Sequence, residues 1–195
     1  MSGMKRIFYA LNNDGKKAAQ VHYPKTVTVI IGSLLGAIAA LLQSAGLFAG
    51  IGYAVSMFST APILLATMFS LRTGFLTYIL TGLLLVILQP TEVLIFLFTT
   101  GLLGVSLGMT LKRINKALFL LFFPSAILSI GIFLLLYVFR YPISGWVFSL
   151  NMNMSIILLV PAFSLLYSWI WITGYKKVLK RVKRSIPTRT AIDEK

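Results

Sequence analysis

Residues 26–48 read TVTVIIGSLLGAIAALLQSAGLF, a run without a single charged side chain. At a helical rise of about 1.5 Å per residue, such a run reaches across the roughly 30 Å hydrocarbon core of a bilayer. The apolar residues are continuous and do not alternate with a period of two, so the run reads as a helix and not as a barrel strand. Five runs of the same kind follow, at 51–71, 73–89, 92–111, 117–138 and 155–175. Gly46, Gly50 and Gly52 mark the first turn, and Arg72 separates the second run from the third. Gln89-Pro90-Thr91-Glu92 separates the third from the fourth, where proline fixes its own backbone angle and removes a donor. The expected fold is all-α: six transmembrane helices over 26–175, a basic segment at 1–25 and a basic tail at 176–195.

Composition points the same way. Of 195 residues, 58% are hydrophobic and 11% charged, against about a quarter charged in a soluble domain. With lipid as the outer solvent, every backbone N–H and C=O has to be satisfied inside the protein, which helices do unaided. Met1 to Lys25 contains no sustained apolar stretch, so the first span is expected to act as an uncleaved signal anchor.

The net charge of +14 is not that of a nucleic-acid binder, because the cations flank the apolar runs. If the N-terminus is cytoplasmic, the inner segments are 1–25, Arg72, 112–116 and 176–195. They hold five, one, three and eight Lys or Arg, leaving Arg140 outside. An odd number of spans or an inverted topology would destroy this partition. Both termini are therefore expected in the cytoplasm of a multi-pass plasma-membrane protein, of bacterial type. In the tail, Val178, Leu179, Val182 and Ile186 recur at helical spacing among Lys176, Lys177, Lys180, Arg181, Lys183 and Arg184. Residues 176–186 are expected to form an amphipathic helix on the anionic inner leaflet, each cation contributing about 1 kcal/mol.

Three features carry candidate function. Gly32, Gly36, Ala40 and Ser44 recur every fourth residue and line one helix face where another backbone can approach closely. That face packs either inside the chain's own bundle or against a partner membrane protein. Gly104 to Gly108 and the pair Ser125 and Ser129 read as internal packing. Glu92 is the one acidic residue near the membrane, and a carboxylate inside a span is penalised by a few kcal/mol unless it has a role. It is either a solvated loop charge or a functional group, with Arg140 as its expected partner. A single carboxylate without an intramembrane histidine is thin material for a proton relay. Lastly, Gln43, Tyr53, Gln89, Glu92, Arg140, Tyr141, Trp146, Asn151 and Asn153 fall at or near the outer ends of the spans. A pocket lined by rings and amides there suits a small planar or amphiphilic ligand.

Enzymatic chemistry finds little material. There is no cysteine, His22 is alone and outside the spans, and Asp14 and Asp193 lie in the terminal segments. No phosphate-binding or dinucleotide glycine pattern occurs. No metal, cofactor or nucleic-acid partner is expected.

Six spans in a short chain, small residues along the first, Ser59-Thr60-Ala61-Pro62, Gly101-Leu102-Leu103-Gly104-Val105-Ser106-Leu107-Gly108 and an outer loop before the sixth together resemble the substrate-binding S-components of energy-coupling-factor (ECF) vitamin transporters. The run 31–111 is also similar to other bacterial membrane proteins of that fold. The resemblance implies capture of a small molecule on the outer side by spans four to six and residues 140–154. It also implies docking of the first helix on a transmembrane coupling subunit, with energy from partner ATPases. The family's Ala-x-x-x-Ala docking motif is replaced here by Gly32-x-x-x-Gly36 and Gly36-x-x-x-Ala40. The rival expectation is a non-transporting scaffold of an envelope complex. A lipid-binding protein is a third.

Overall fold

The computed structural model describes residues 25–48, 51–114, 116–139 and 154–185. Helix α1 is Lys25–Ser44, continued by a 3-10 turn Ala45–Phe48; α2 is Ile51–Met57, α3 Thr60–Phe69, α4 Leu71–Leu88, α5 Pro90–Phe98 and α6 Thr100–Arg113. Helix α7 is Ala117–Phe133, continued by a π segment Leu134–Val138, and α8 is Met154–Ser185. Among the described residues there is no strand.

Six helical segments are long and apolar enough to cross a membrane: Thr26–Phe48, Ile51–Phe69, Leu71–Leu88, Pro90–Arg113, Leu118–Val138 and Ile157–Val178. They match the six expected runs to within three residues at each end. The fourth starts at Pro90 and not at Glu92, because proline suits a first helical turn, where no N–H partner is needed. The tail helix is continuous with the sixth span. Through Ser185, α8 has 32 residues, about 48 Å of helix, and no break separates span from tail.

The second and fourth spans are 50% buried and the other four 28–33%, which places α3 and α6 at the centre. The first span packs on the third, the fifth on the sixth, and the central pair joins the two halves. One core gathers Ala39, Ala40, Ile63, Leu85 and Phe96. The other gathers Leu64, Leu103, Leu107, Leu128 and Ile132 with Val160, Tyr167 and Ile172 of α8. Facing outward are large apolar side chains such as Leu34, Leu41, Leu76, Leu83, Ile87, Leu158, Leu166 and Trp169. An exterior that is apolar on every side suits lipid and would aggregate in water.

Close approach is made by small residues. A Cβ on Gly104 would lie 2.8 Å from Ile63 Cβ and 3.0 Å from the Thr60 carbonyl oxygen, and one on Gly108 would lie 2.5 Å from Thr67 Cβ. The expected internal role of Gly104 to Gly108 is what the structure shows: they seat α6 on α3. The Gly32 stripe meets a stripe of threonines on α4. Thr77 Oγ1 donates to the Gly32 carbonyl at 3.1 Å and Thr81 Oγ1 to the Gly36 carbonyl at 3.2 Å. A Cβ on Gly32 would fall 2.8 Å from Thr73 Cγ2. At the C-terminal ends of α3 and α6, Lys112 Nζ donates to the Met68 and Phe69 carbonyls and caps α3 with a cation, as the helix dipole favours.

Candidate functional site

One cluster of the polar residues that the spans bury, Gln43, Ser59, Glu92 and Thr100, lies near the end of the bundle bearing Pro90. Glu92 sits in the first turn of α5 and is 7% exposed. Its carboxyl lies over Gly46 of the 3-10 turn, where a Cβ would fall 2.6 Å from Oε1. Glycine there leaves the room the carboxyl occupies. Gln43, fully buried in α1, donates from Nε2 to Glu92 Oε2 at 2.9 Å. Its Oε1 accepts from Ser59 Oγ at 2.7 Å and from Thr100 Oγ1 at 2.8 Å. One carboxamide therefore ties together the first, second and fourth spans.

Both partners of Oε1 stand where a helix is interrupted. In the second span, Phe58, Ser59 and Ala61 make three-residue turn bonds to Val55, Ser56 and Phe58. Pro62 has no N–H, and its ring crowds the carbonyl four residues back, so the helix tightens before it. In the fourth span, Thr99 (φ −121°, ψ −89°) separates α5 from α6. The carbonyls around that break are served by neighbours: Tyr78 Oη donates to Leu97 O at 2.8 Å, and Gly131 of α7 packs on the Phe98 carbonyl. Irregular backbone at membrane depth persists only when protein covers it in this way.

The hydroxyls continue toward the middle of the bundle. Thr60 Oγ1 donates to Thr100 O at 3.2 Å and lies 3.4 Å from Tyr167 Oη, which donates to Met57 O at 3.0 Å. Tyr167 packs between Phe163 and Trp171, and Trp171 meets Phe58 edge-on at 6.2 Å. The sixth span thereby joins the network. Among the described residues, Ser168 Oγ is the buried side-chain polar atom left without a hydrogen-bond partner.

The expected outer constellation is divided by the structure. Gln43 and Glu92 come together. Tyr53 does not join them: it is 37% exposed on the outside of α2. Gln89 donates to Thr91 Oγ1 at 2.9 Å and turns away from Gln43. Arg140, Tyr141, Trp146, Asn151 and Asn153 lie outside the described residues, as does the expected Glu92–Arg140 pair. Of the two expectations for the small-residue stripe of the first helix, packing within the chain's own bundle describes it: Gly32, Gly36 and Ala40 are buried, and Ser44 bonds back to Ala40 O. Its small residues let α4 approach, and α4 fills the groove.

Ser59, Thr60, Thr100 and Tyr167 were not among the expected site residues. The threonines of α4 also went unread, although Thr73, Thr77 and Thr81 recur every fourth residue as the Gly32 stripe does. Among the described residues no group of three or more His, Cys, Asp or Glu could hold a metal ion. The chain matches no protein-family model, no curated protein and no solved structure.

Proposed function

We propose that this chain is the solute-capture subunit of a multi-subunit importer in a bacterial plasma membrane, with both termini in the cytoplasm. The observation that supports the reading is the buried Glu92–Gln43 pair, held where the first and second spans and the third and fourth spans turn. The charge partition assigns that end of the bundle to the outside. Ionisable side chains inside a membrane protein are penalised and are usually kept for a task. A carboxyl and a carboxamide with hydroxyl neighbours offer donors and acceptors to a small planar solute, with the Tyr167 and Trp171 rings beyond them on the sixth span. Energy would come from partner ATPases through a coupling subunit, which has to use a face other than the Gly32–Ala40 stripe.

A second reading, a non-transporting scaffold, is favoured by one feature. The Gln43 carboxamide is already engaged by the chain's own Glu92, Ser59 and Thr100. Purification in mild detergent from the native host, with mass spectrometry of what accompanies the chain, separates the two. Capture predicts an ATPase pair, a coupling subunit and a small molecule. Stable envelope partners without an ATPase would overturn it.

Orientation has its own check. Single cysteines at Ser2, Ser144 and Thr190 of this cysteine-free chain are probed in intact cells with an impermeant thiol reagent. The one at 144 is expected to react; reaction at 2 or 190 would reject cytoplasmic termini.

A further inference from the structure

We propose that Glu92 is a proton-binding site, and that proton uptake reverses the hydrogen bonds of the whole Gln43 network through a half-turn of one carboxamide. As a carboxylate, Glu92 accepts from Gln43 Nε2, and Gln43 Oε1 accepts from Ser59 and Thr100. A carboxylate has no proton to give, so this direction is the one open to it. When a proton from the aqueous phase binds, the carboxylic acid becomes a donor. A half-turn of the Gln43 carboxamide about its terminal bond then presents Oε1 to the acid and Nε2 to the two hydroxyls. The three hydrogen bonds of the first state are replaced by three in the second. The amide's two protons serve Ser59 Oγ and Thr100 Oγ1, and the distances of 2.7–2.9 Å suit either direction.

The hydroxyl protons displaced by this reversal have somewhere to go. Hydroxyls of this chain already donate to the carbonyl one turn back in their own helix at Thr67, Thr81, Thr110, Ser125, Ser129 and Ser164. Ser59 and Thr100 would do the same, and both stand at the interruptions of the second and fourth spans. Proton binding at Glu92 therefore changes the demand on backbone carbonyls at both helix breaks at once. Two arrangements of one network, biased by a proton, are the kind of local event that a switch requires.

Among the described residues, the other titratable groups are placed elsewhere. On the elements packed against α5, Tyr78 donates to Leu97 O and Tyr137 stacks on Phe133. Arg72, Lys112 and Arg113 lie at the opposite end of their helices, as does Lys25 of α1. Among the described residues, Gln43 is the hydrogen-bond partner of the Glu92 carboxyl. The proposal does not depend on solute capture, and its test uses the proton alone.

The chain has two glutamates, Glu92 and Glu194, and three glutamines, Gln20, Gln43 and Gln89, so selective labelling gives nearly assigned spectra. Full-length protein carrying carbon-13 glutamate and nitrogen-15 glutamine is titrated in lipid nanodiscs between about pH 4 and about pH 9, which brackets the titration of perturbed carboxyls. Assignment uses E194Q, Q20N and Q89N, so it does not require E92Q to fold. The expected result is one common midpoint for the Glu92 carboxyl and the Gln43 side-chain amide, with Gln89 unmoved. A Glu92 resonance that titrates while the Gln43 amide stays still would overturn the switch. A Glu92 resonance that never moves over this range would overturn the proton site itself.

Discussion

Replacing Gln43 with methionine destabilises the folded chain by about 3 kcal/mol or more. Hydrogen bonds between membrane helices average about 0.6 kcal/mol, so losing the three made by Gln43 accounts for roughly 2 kcal/mol. The remainder comes from Glu92, whose buried carboxyl loses its donor at a penalty of about 1–3 kcal/mol. Ser59 and Thr100 lose less, because each hydroxyl can turn to a carbonyl of its own helix. Adding Glu92→Met to Gln43→Met removes the orphaned group, and an unbranched side chain fits the space over Gly46. The double variant is expected within about 1 kcal/mol of the native chain, since apolar replacement of both partners can be nearly neutral. Unfolding in lipid bicelles on the two single variants and the double variant gives the coupling directly. A Gln43→Met protein as stable as the native one would show that water reaches Glu92 from the end of the bundle, and the pair would then be a solvated surface contact.

The second large effect separates glycines that look alike in the sequence. Gly104→Ala puts a Cβ against Ile63 Cβ and the Thr60 carbonyl, and Gly131→Ala puts one on the Phe98 carbonyl. Neither backbone nor a branch-point carbon can rotate away, so the spans must separate, at about 1–3 kcal/mol for each variant. Gly36→Ala meets Leu80 Cδ2 at 3.3 Å and Thr81 Oγ1 at 3.4 Å, groups on side chains that can yield. Its effect stays below about 1 kcal/mol in either direction, because alanine also favours the helix by about 0.5–1 kcal/mol. At Gly174 nothing lies within 4 Å of an added Cβ, and alanine there stabilises by the helix preference alone. Thermal midpoints of the four variants in one detergent rank them: Gly174 highest, then Gly36, with Gly104 and Gly131 lowest. Equal midpoints for Gly104→Ala and Gly174→Ala would mean that α6 does not sit on α3 as closely as the structure has it.

Much of the site was half-legible beforehand. Gln43 and Glu92 stand out as polar residues in apolar runs, because lipid cannot satisfy an amide or a carboxyl. Their pairing was not legible: they are 49 positions apart, and Arg140, with its opposite charge, made the more obvious partner by depth. Ser59, Thr60 and Thr100 were harder to see. Hydroxyls are common in transmembrane helices, where they also bond back to their own backbone. Tyr53 shows the converse error. Its position near a span end fitted a binding ring, but helix rotation turns it outward, and rotation depends on which neighbour takes the opposite face.

What the sequence by itself determined is the number of spans and, to within three residues, where each begins and ends. Bilayer thickness sets the length of an apolar run, and Pro90, Arg72 and the Lys112–Lys116 cluster interrupt the runs at fixed places. It also determined that close helix contacts would form at glycine and alanine, since only small residues let backbones approach. The tertiary structure decided which face meets which. The Gly32–Ala40 stripe could have served a partner, and it serves α4 because Thr73 packs on Gly32 while Thr77 and Thr81 bond the Gly32 and Gly36 carbonyls. The union of Gln43, Glu92, Ser59 and Thr100 was likewise decided there, because a hydrogen-bonded cluster depends on the rotation and depth of three helices at once, and no run of adjacent residues encodes those.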